Sequence, residues 1–321
     1  MTSSANSTRN ATLALLVATV LWGCGFTWAK AAGETVNQLT GGGHGSPLGP
    51  IWVLAIRFFM AAGLWLIVFP SARRGWSVAL VGRCVLLGAT LTLPMVLQHL
   101  GLDRTNEATS AFLTSLTILF VPLVMTLVLR KPPPAMIWGG VILAAAGIWI
   151  MTGAAASGLG AGEWLSIGCA AGFSINIIAV DKWITPENAM PATAGQFFVL
   201  AIFCAITCLI FPHGVESFAP ARVASLFAHR EVWLNIMLMA IFVSMGAFGL
   251  QFQFQPRIDP SRAALLYLAE PIFASVYAWI AAGRGMTSRA MLGAGIILAA
   301  NALVEVLQAR RHQTAVVPLI D

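Results

Sequence analysis

Long apolar stretches recur along the whole chain, each close to 20 residues and set apart by short polar or proline-bearing punctuation. A helix of about 20 residues spans the ~30 Å hydrocarbon core of a bilayer. In that medium the backbone N–H and C=O groups must be satisfied within the segment, which a helix does by itself. Of the 321 residues, 58% are hydrophobic and 9% are charged, whereas a soluble domain carries roughly 25% charged residues. Too little polar surface remains to cover a water-soluble globule, so the expected fold is all-α and integral to the membrane.

Ten transmembrane helices are expected, at 11–31, 50–70, 79–101, 107–129, 134–153, 163–182, 192–211, 232–254, 261–282 and 288–308. These are segments 1 to 10 below. Most boundaries carry prolines, which helices avoid in their interiors: Pro47, Pro50, Pro70, Pro132 to Pro134, Pro186, Pro191, Pro212, Pro256 and Pro260. Ala29-Lys30-Ala31 imitates a signal-peptidase site, but segment 1 is long for a signal peptide and has a counterpart later in the chain, so it is expected to be retained.

The formal net charge of +6 does not indicate nucleic acid, because the basic residues sit singly or in pairs at the ends of apolar runs. They read as topology determinants. A cytoplasmic N-terminus puts Arg9, Arg73, Arg74, Arg83, Arg130, Lys131, Lys182, Arg257, Arg262, Arg310 and Arg311 inside. Lys30, Arg104, Arg222, Arg230, Arg284 and Arg289 then lie outside. Eleven against six favours both termini on the cytoplasmic side of an inner or plasma membrane. The five cysteines all fall inside segments without CxxC or Cys/His ligand spacing, and neither a disulfide nor a metal site is expected.

Shifting the chain against itself by about 153 positions superposes two five-segment units. Lys131 falls on Arg284, Gly140 on Gly293, and Ala111-Phe-Leu-Thr-Ser-Leu116 on Ala264-Leu-Leu-Tyr-Leu-Ala269. Because five is odd, the second copy must be inserted upside down. The expected organisation is a cytoplasmic N-terminus at 1–10, repeats at 11–153 and 154–308, and a cytoplasmic tail at 309–321. Two inverted repeats around a central cavity provide a route to alternating access, in which exchanging the conformations of the halves exposes one site to either side.

The sequence of segment 1, Leu21-Trp-Gly-Cys-Gly-Phe-Thr-Trp-Ala-Lys30, is followed in segment 2 by Ala55-Ile-Arg-Phe-Phe-Met-Ala-Ala62. Segment 9 contains Ala263-Ala-Leu-Leu-Tyr-Leu-Ala-Glu-Pro-Ile-Phe-Ala274. In this order, with Gly-rich segments 5 and 10, the chain resembles the EamA-like branch of the drug/metabolite transporter superfamily from about residue 11 to 308. The resemblance implies a ten-helix inverted-repeat fold and a class rich in exporters of amino acids and related metabolites. It departs from the family where a Gly-Glu pair often follows segments 4 and 9. Here the sequences are Arg130-Lys131-Pro132 and Gly283-Arg284-Gly285.

Glu270 is the strongest single candidate, since an ionisable group near the middle of a segment costs several kcal/mol unless paired or hydrated. Facing a cavity, its desolvated carboxyl could exchange a proton during transport. The structural alternative is that it caps the turn broken by Pro271. Arg57 and Lys30 are the cations placed to answer a substrate carboxylate or Glu270, although Lys30 could simply snorkel to the interface. Trp22 and Trp28, six positions apart, lie on different faces of segment 1; one could line the cavity and both could be packing residues. Gln98, His99, Asn176, Gln251, Gln255 and Tyr267 are candidate polar contacts to substrate, with interhelical hydrogen bonding as the alternative. Asn301 and Glu305 are left outside the site.

Gly140 with Ala144 and Gly295 with Ala299 form small-xxx-small pairs that permit close packing or an oligomer contact such as a homodimer. The loop at 33–49 is Gly-rich but lacks the Lys-Ser/Thr of a phosphate-binding loop, and reads as a flexible connection. No H-E-x-x-H, G-x-S-x-G or nucleotide-binding pattern occurs, so ATP-driven transport by this chain alone is not expected, and without a cluster of His, Asp or Ser at one interfacial depth neither enzymatic activity nor a cofactor is expected. The expected partners are a small-molecule substrate and the lipid bilayer. The leading expectation is a secondary exporter of an amino acid or similar metabolite. An importer of a vitamin or nucleoside-like solute is the nearest rival, and a membrane-embedded enzyme or a channel is more distant.

Overall fold

The computed structural model describes residues 2–43, 45–129, 135–152, 159–185, 187–254 and 266–316. Arg130 to Pro134, Pro186, Gln255 to Leu265 and the last five residues lie outside the described residues, and with them the expectations placed on Lys131, Gln255, Arg257 and Arg262. The side chain of Glu305 is likewise outside them.

The chain is an all-helical membrane protein. Seven helices are long and apolar enough to cross a bilayer: Arg9–Thr40, Leu48–Val68, Val78–Arg104, Glu107–Leu127, Ala161–Val180, Ala189–Cys208 and Arg230–Gln251. Segments 5 and 10 give shorter apolar helices, Trp138–Thr152 and Ser288–Val304, and segment 9 is helical from Glu270 to Ala282. Side-chain caps start three of the described helices, one of them segment 10, where Thr287 Oγ1 accepts from the Ala290 N–H at 3.2 Å. Ser77 accepts from the Leu80 N–H, and Asn106 Oδ1 accepts from the Thr109 N–H at 2.7 Å, each satisfying a donor that the first turn leaves free.

Segment 1 runs further than expected, as one helix from Thr2 to Thr40. The polar residues after Gly33 do not end it, because Thr35 and Thr40 donate their hydroxyls to the Ala31 and Val36 carbonyls, each at 2.8 Å. What remains of the supposed flexible loop is short and tethered. Asn37 donates to the Ser46 carbonyl at 2.8 Å and accepts from the Gly49 N–H at 2.7 Å. Gly41, Gly43 and Gly45 all have positive φ, a conformation that costs glycine little.

Segment 8 is interrupted by a π-helical run, Met239–Ala247. Segment 3 instead continues through Pro94. After segment 7, two short helices, Gly214–Ser217 and Pro220–Ala228, lie across the end of the bundle, and Trp52 of segment 2 donates its indole N–H to the Ser217 carbonyl at 3.2 Å.

The principal packings are segment 1 on 2, 8 and 9; segment 2 on 7 and 8; segment 3 on 6 and 7; segment 4 on 6 and 9; and segment 5 on 10. The larger core joins segments 1, 2, 3, 7 and 8 around Trp52, Phe58, Trp65 and Phe197, with the Phe58 and Phe197 rings 5.2 Å apart. A second core joins segments 4, 5 and 10 around Leu113, Ala144, Ile297 and Val304. The outward faces carry exposed Phe59, Ile67, Ile142, Trp279 and Ile280, which match the hydrocarbon around them. All five cysteines are free and buried.

Segments 5 and 10 cross closely and antiparallel. A β-carbon on Gly147 would sit 2.9 Å from the Gly293 carbonyl oxygen, and Gly140 abuts Val304. The small-residue expectation is therefore corrected in register for segment 10. Gly293, Ala294 and Ala300 are buried, whereas Gly295 and Ala299 face outward, and nothing lies within 4 Å of a β-carbon on Gly295.

Candidate functional site

Two glycines in segment 1 let two other helices approach it. A β-carbon on Gly23 would lie 2.8 Å from the Ala274 nitrogen and 3.0 Å from the Glu270 carbonyl oxygen of segment 9. One on Gly25 would lie 3.1 Å from Val243 in segment 8. Trp22 fills the space near this meeting, with its ring 5.4 Å from Tyr267 of segment 9 and 5.8 Å from Phe248 of segment 8, both edge-on. The Tyr267 and Gln251 side chains hydrogen-bond across the same junction.

Glu270 begins the helix Glu270–Ala282, with Pro271 in the first turn and no side-chain cap before it. Residues 268 and 269 form a turn, so segment 9 is broken just where the acid sits. The free N–H groups and dipole of that helix start favour a carboxylate. Glu270 is half-buried and close enough for its charge to act on Tyr267 and Cys169. Among the described residues it has no ion pair. The acid thus lies at a broken turn, with no cation paired to it among the described residues.

Arg57 is buried at 4% exposure. Its Nε donates to Ser244 Oγ at 2.9 Å, Nη1 lies 3.7 Å from Met239 Sδ, and the guanidinium carbon stands 4.9 Å from the centroid of the Phe58 ring. These contacts reach the π-helical run at two points. No carboxylate among the described residues pairs with it. Nearby, the charge of Arg57 acts on His99. The Nδ1 of His99 is 3.1 Å from the Met95 carbonyl oxygen, and its buried Nε2 has no hydrogen-bond partner among the described residues. Gln98 is half-buried on the same helix.

The structure thus gathers Trp22, Gln251, Tyr267 and Glu270 at the junction of segments 1, 8 and 9, and Arg57 with His99 where segments 2, 3 and 8 meet. Segment 8 connects the two groups. Asn176 belongs to neither: its amide donates to Thr90 Oγ1 at 3.1 Å and to the Leu87 carbonyl at 3.4 Å, tying segment 6 to segment 3. Lys30 points to one end of the bundle, where Nζ donates to the Thr105 carbonyl. Trp28 donates to the Tyr277 hydroxyl at 2.8 Å, a packing contact. Asn301 donates to the carbonyl and hydroxyl of Ser115.

Sequence reasoning missed Ser244, Met239 and Phe248. A lone serine and apolar residues in an apolar helix carry no periodic signal. The Gly23 and Gly25 spacing was visible, but the helices it admits were not.

Charges within apolar segments are costly in a low-dielectric interior unless paired or hydrated.

Residues 160–306 match the EamA-like transporter family. The chain is 25% identical over 297 residues to a protein of Archaeoglobus fulgidus described as an uncharacterized transporter, covering 92% of this chain and 85% of that one. A solved structure, titled only as the crystal structure of a protein, superposes with a TM-score of 0.56 at 20% identity, covering 95% of this chain and 99% of the other. That likeness concerns the fold alone. The family match thus covers segments 6 to 10, and the likeness to a transporter runs over nearly the whole chain.

Proposed function

We propose that the protein is a secondary transporter that exports an amino acid or a similarly small polar metabolite by alternating access. Glu270 takes the substrate's cationic group or a coupling proton, and Arg57 takes its carboxylate. The observation that carries this reading is the pair of mid-membrane charges, Glu270 and Arg57, neither of which has an ionic partner among the described residues. A zwitterion would supply a counter-charge to both. Trp22, Tyr267 and Gln251 flank the acid and offer one apolar face and two hydrogen-bonding groups.

The packing pattern supports the inverted halves at 11–153 and 154–308 in a ten-span fold. Exchanging each segment for the one five places away turns the packing of 1 on 8 into 6 on 3, 1 on 9 into 6 on 4, and 2 on 8 into 7 on 3. The packings 2 on 7, 4 on 9 and 5 on 10 map onto themselves. Each of these pairs is present. The antiparallel crossing of segments 5 and 10 is what an inverted repeat requires of equivalent helices. The excess of basic residues on one side supports both termini lying in the cytoplasm.

The test compares metabolites in medium and cytosol for cells lacking the protein, cells overexpressing it, and cells expressing Glu270→Ala at equal membrane abundance. Enrichment of an amino acid or similar solute in the medium, only with active protein, is the expected result. A solute depleted from the medium reverses the direction. No change with the protein verified in the membrane refutes metabolite export.

A further inference from the structure

One end of the bundle carries all of the ion pairs among the described residues. It is the end where the turns after segments 1, 3 and 9 meet. Arg284, in the turn between segments 9 and 10, is bound by two acids from distant parts of the chain. Its Nη1 lies 2.5 Å from Glu107 Oε1 at the start of segment 4, and its Nη2 lies 3.6 Å from Glu34 Oε2 on segment 1. The Glu107 side chain is fully buried and its other oxygen, Oε2, has no hydrogen-bond partner among the described residues. The Arg284 side chain stays 42% exposed. Beside the pair, Lys30 donates to the Thr105 carbonyl, and the Thr105 hydroxyl donates to Glu163 of segment 6 at 2.7 Å.

We infer that Arg284, with Glu107 and Glu34, is a latch that holds this end of the transporter closed and must release for the central site to open there. The physical basis is the asymmetry of the pair. A buried carboxylate is tolerable only while its cation is in place, and removing one partner of such a pair strands the other charge. The Glu107 carboxylate lies at the first turn of its helix, at one end of a membrane-length segment. Moving the 283–287 turn away would let water reach it at once. The closed arrangement therefore depends on Arg284 reaching in from the turn between segments 9 and 10, with the Lys30 charge close enough to act on the same acids, whereas hydration supports the separated one. Both states are accessible without a charge left in hydrocarbon, as a two-state element requires. Arg284 reaches from segment 9 to segments 1 and 4, the same helices on which segment 9 packs. Release of the latch thus frees the C-terminal end of the helix that begins with Glu270.

The test uses full-length protein in lipid nanodiscs with spin labels on Gln38→Cys and Ser288→Cys, exposed positions at the end of segment 1 and the start of segment 10. The unlatched Arg284→Gln variant should move the open-to-closed ratio toward the longer distance by about tenfold. Adding Glu107→Gln should return the distribution toward the closed one, because no charge is then stranded. A distribution unchanged by Arg284→Gln, or a double variant as open as the single one, overturns the latch. If Arg284→Gln does not accumulate, the exchanged pair Glu107→Arg with Arg284→Glu decides: closed supports the latch and open overturns it. None of these readouts depends on which solute is carried.

Discussion

Gly23 and Ala274 bring segments 1 and 9 together so tightly that a single methyl group on Gly23 would stand 2.8 Å from the Ala274 backbone nitrogen. The atoms it would meet are backbone and a β-carbon, which cannot swing aside. Gly23→Val should therefore displace segment 9 at the level of Glu270, at a cost of about 1–3 kcal/mol for overpacking. The expected outcome is a lowered Tm and loss of transport. Gly63→Val is the control, since nothing lies within 4 Å of a β-carbon there, and it should melt and transport like the parent. Equal behaviour of the two variants would remove the tight crossing from the account.

Glu270→Gln keeps the shape of the side chain and fixes it in the state that a protonated acid would have. If proton exchange at Glu270 drives the cycle, transport by the parent protein varies with pH through that group, while the variant runs at a low rate that is flat with pH. Counterflow, which needs no net proton movement, should survive better in the variant than net export. The comparison is made in proteoliposomes over a series of external pH values. A variant with the parent's full rate and pH profile would refute coupling through this carboxyl.

Arg57 offers a separable prediction, because its Nε is held by Ser244 while its Nη atoms have no carboxylate among the described residues. Ser244→Ala removes a buried hydrogen bond, costing about 1–3 kcal/mol, and should lower Tm with a modest rise in KM. Arg57→Gln should raise KM at least about tenfold for a substrate bearing a carboxylate, the loss expected when a charge-assisted contact disappears. Its effect on the corresponding amide should be small. Arg57→Lys should not restore affinity, since an ammonium cannot bond to Ser244 and present a planar fork at once.

Much of this arrangement was legible in the sequence, for reasons that also explain what was not. The segments could be read because length and hydropathy answer directly to bilayer thickness, and prolines mark their ends. The end of segment 1 could not, because Thr35 and Thr40 look like loop residues until their hydroxyls are seen returning to carbonyls one turn back. Glu270 and Arg57 stood out because charge in an apolar run is rare, yet sequence could not say that neither would have an ionic partner among the described residues. Segment 10 contains two glycines, Gly293 and Gly295, only two positions apart, and the hydropathy pattern does not choose the packed one. The π-helical run in segment 8 left no mark at all. Lys30 was visible as a cation near a segment end, but its link to Thr105 depends on a connection 75 residues away.

Asn176 tests whether the structure separates packing from binding. It resembles Gln251 in the sequence, as a polar amide within an apolar segment, but its amide is spent on Thr90 and Leu87 of segment 3. Asn176→Leu should therefore cost about 0.5–2 kcal/mol, the range of interhelical hydrogen bonds in membranes, and lower Tm without changing KM. Gln251→Leu should do the reverse. It removes the partner of Tyr267 beside Glu270, so KM should rise while Tm moves little. Melting curves and transport kinetics on the same two purified variants make the comparison. If Asn176→Leu shifts KM as much as Gln251→Leu does, the substrate reaches the junction of segments 3 and 6, and the site is wider than the group around Glu270.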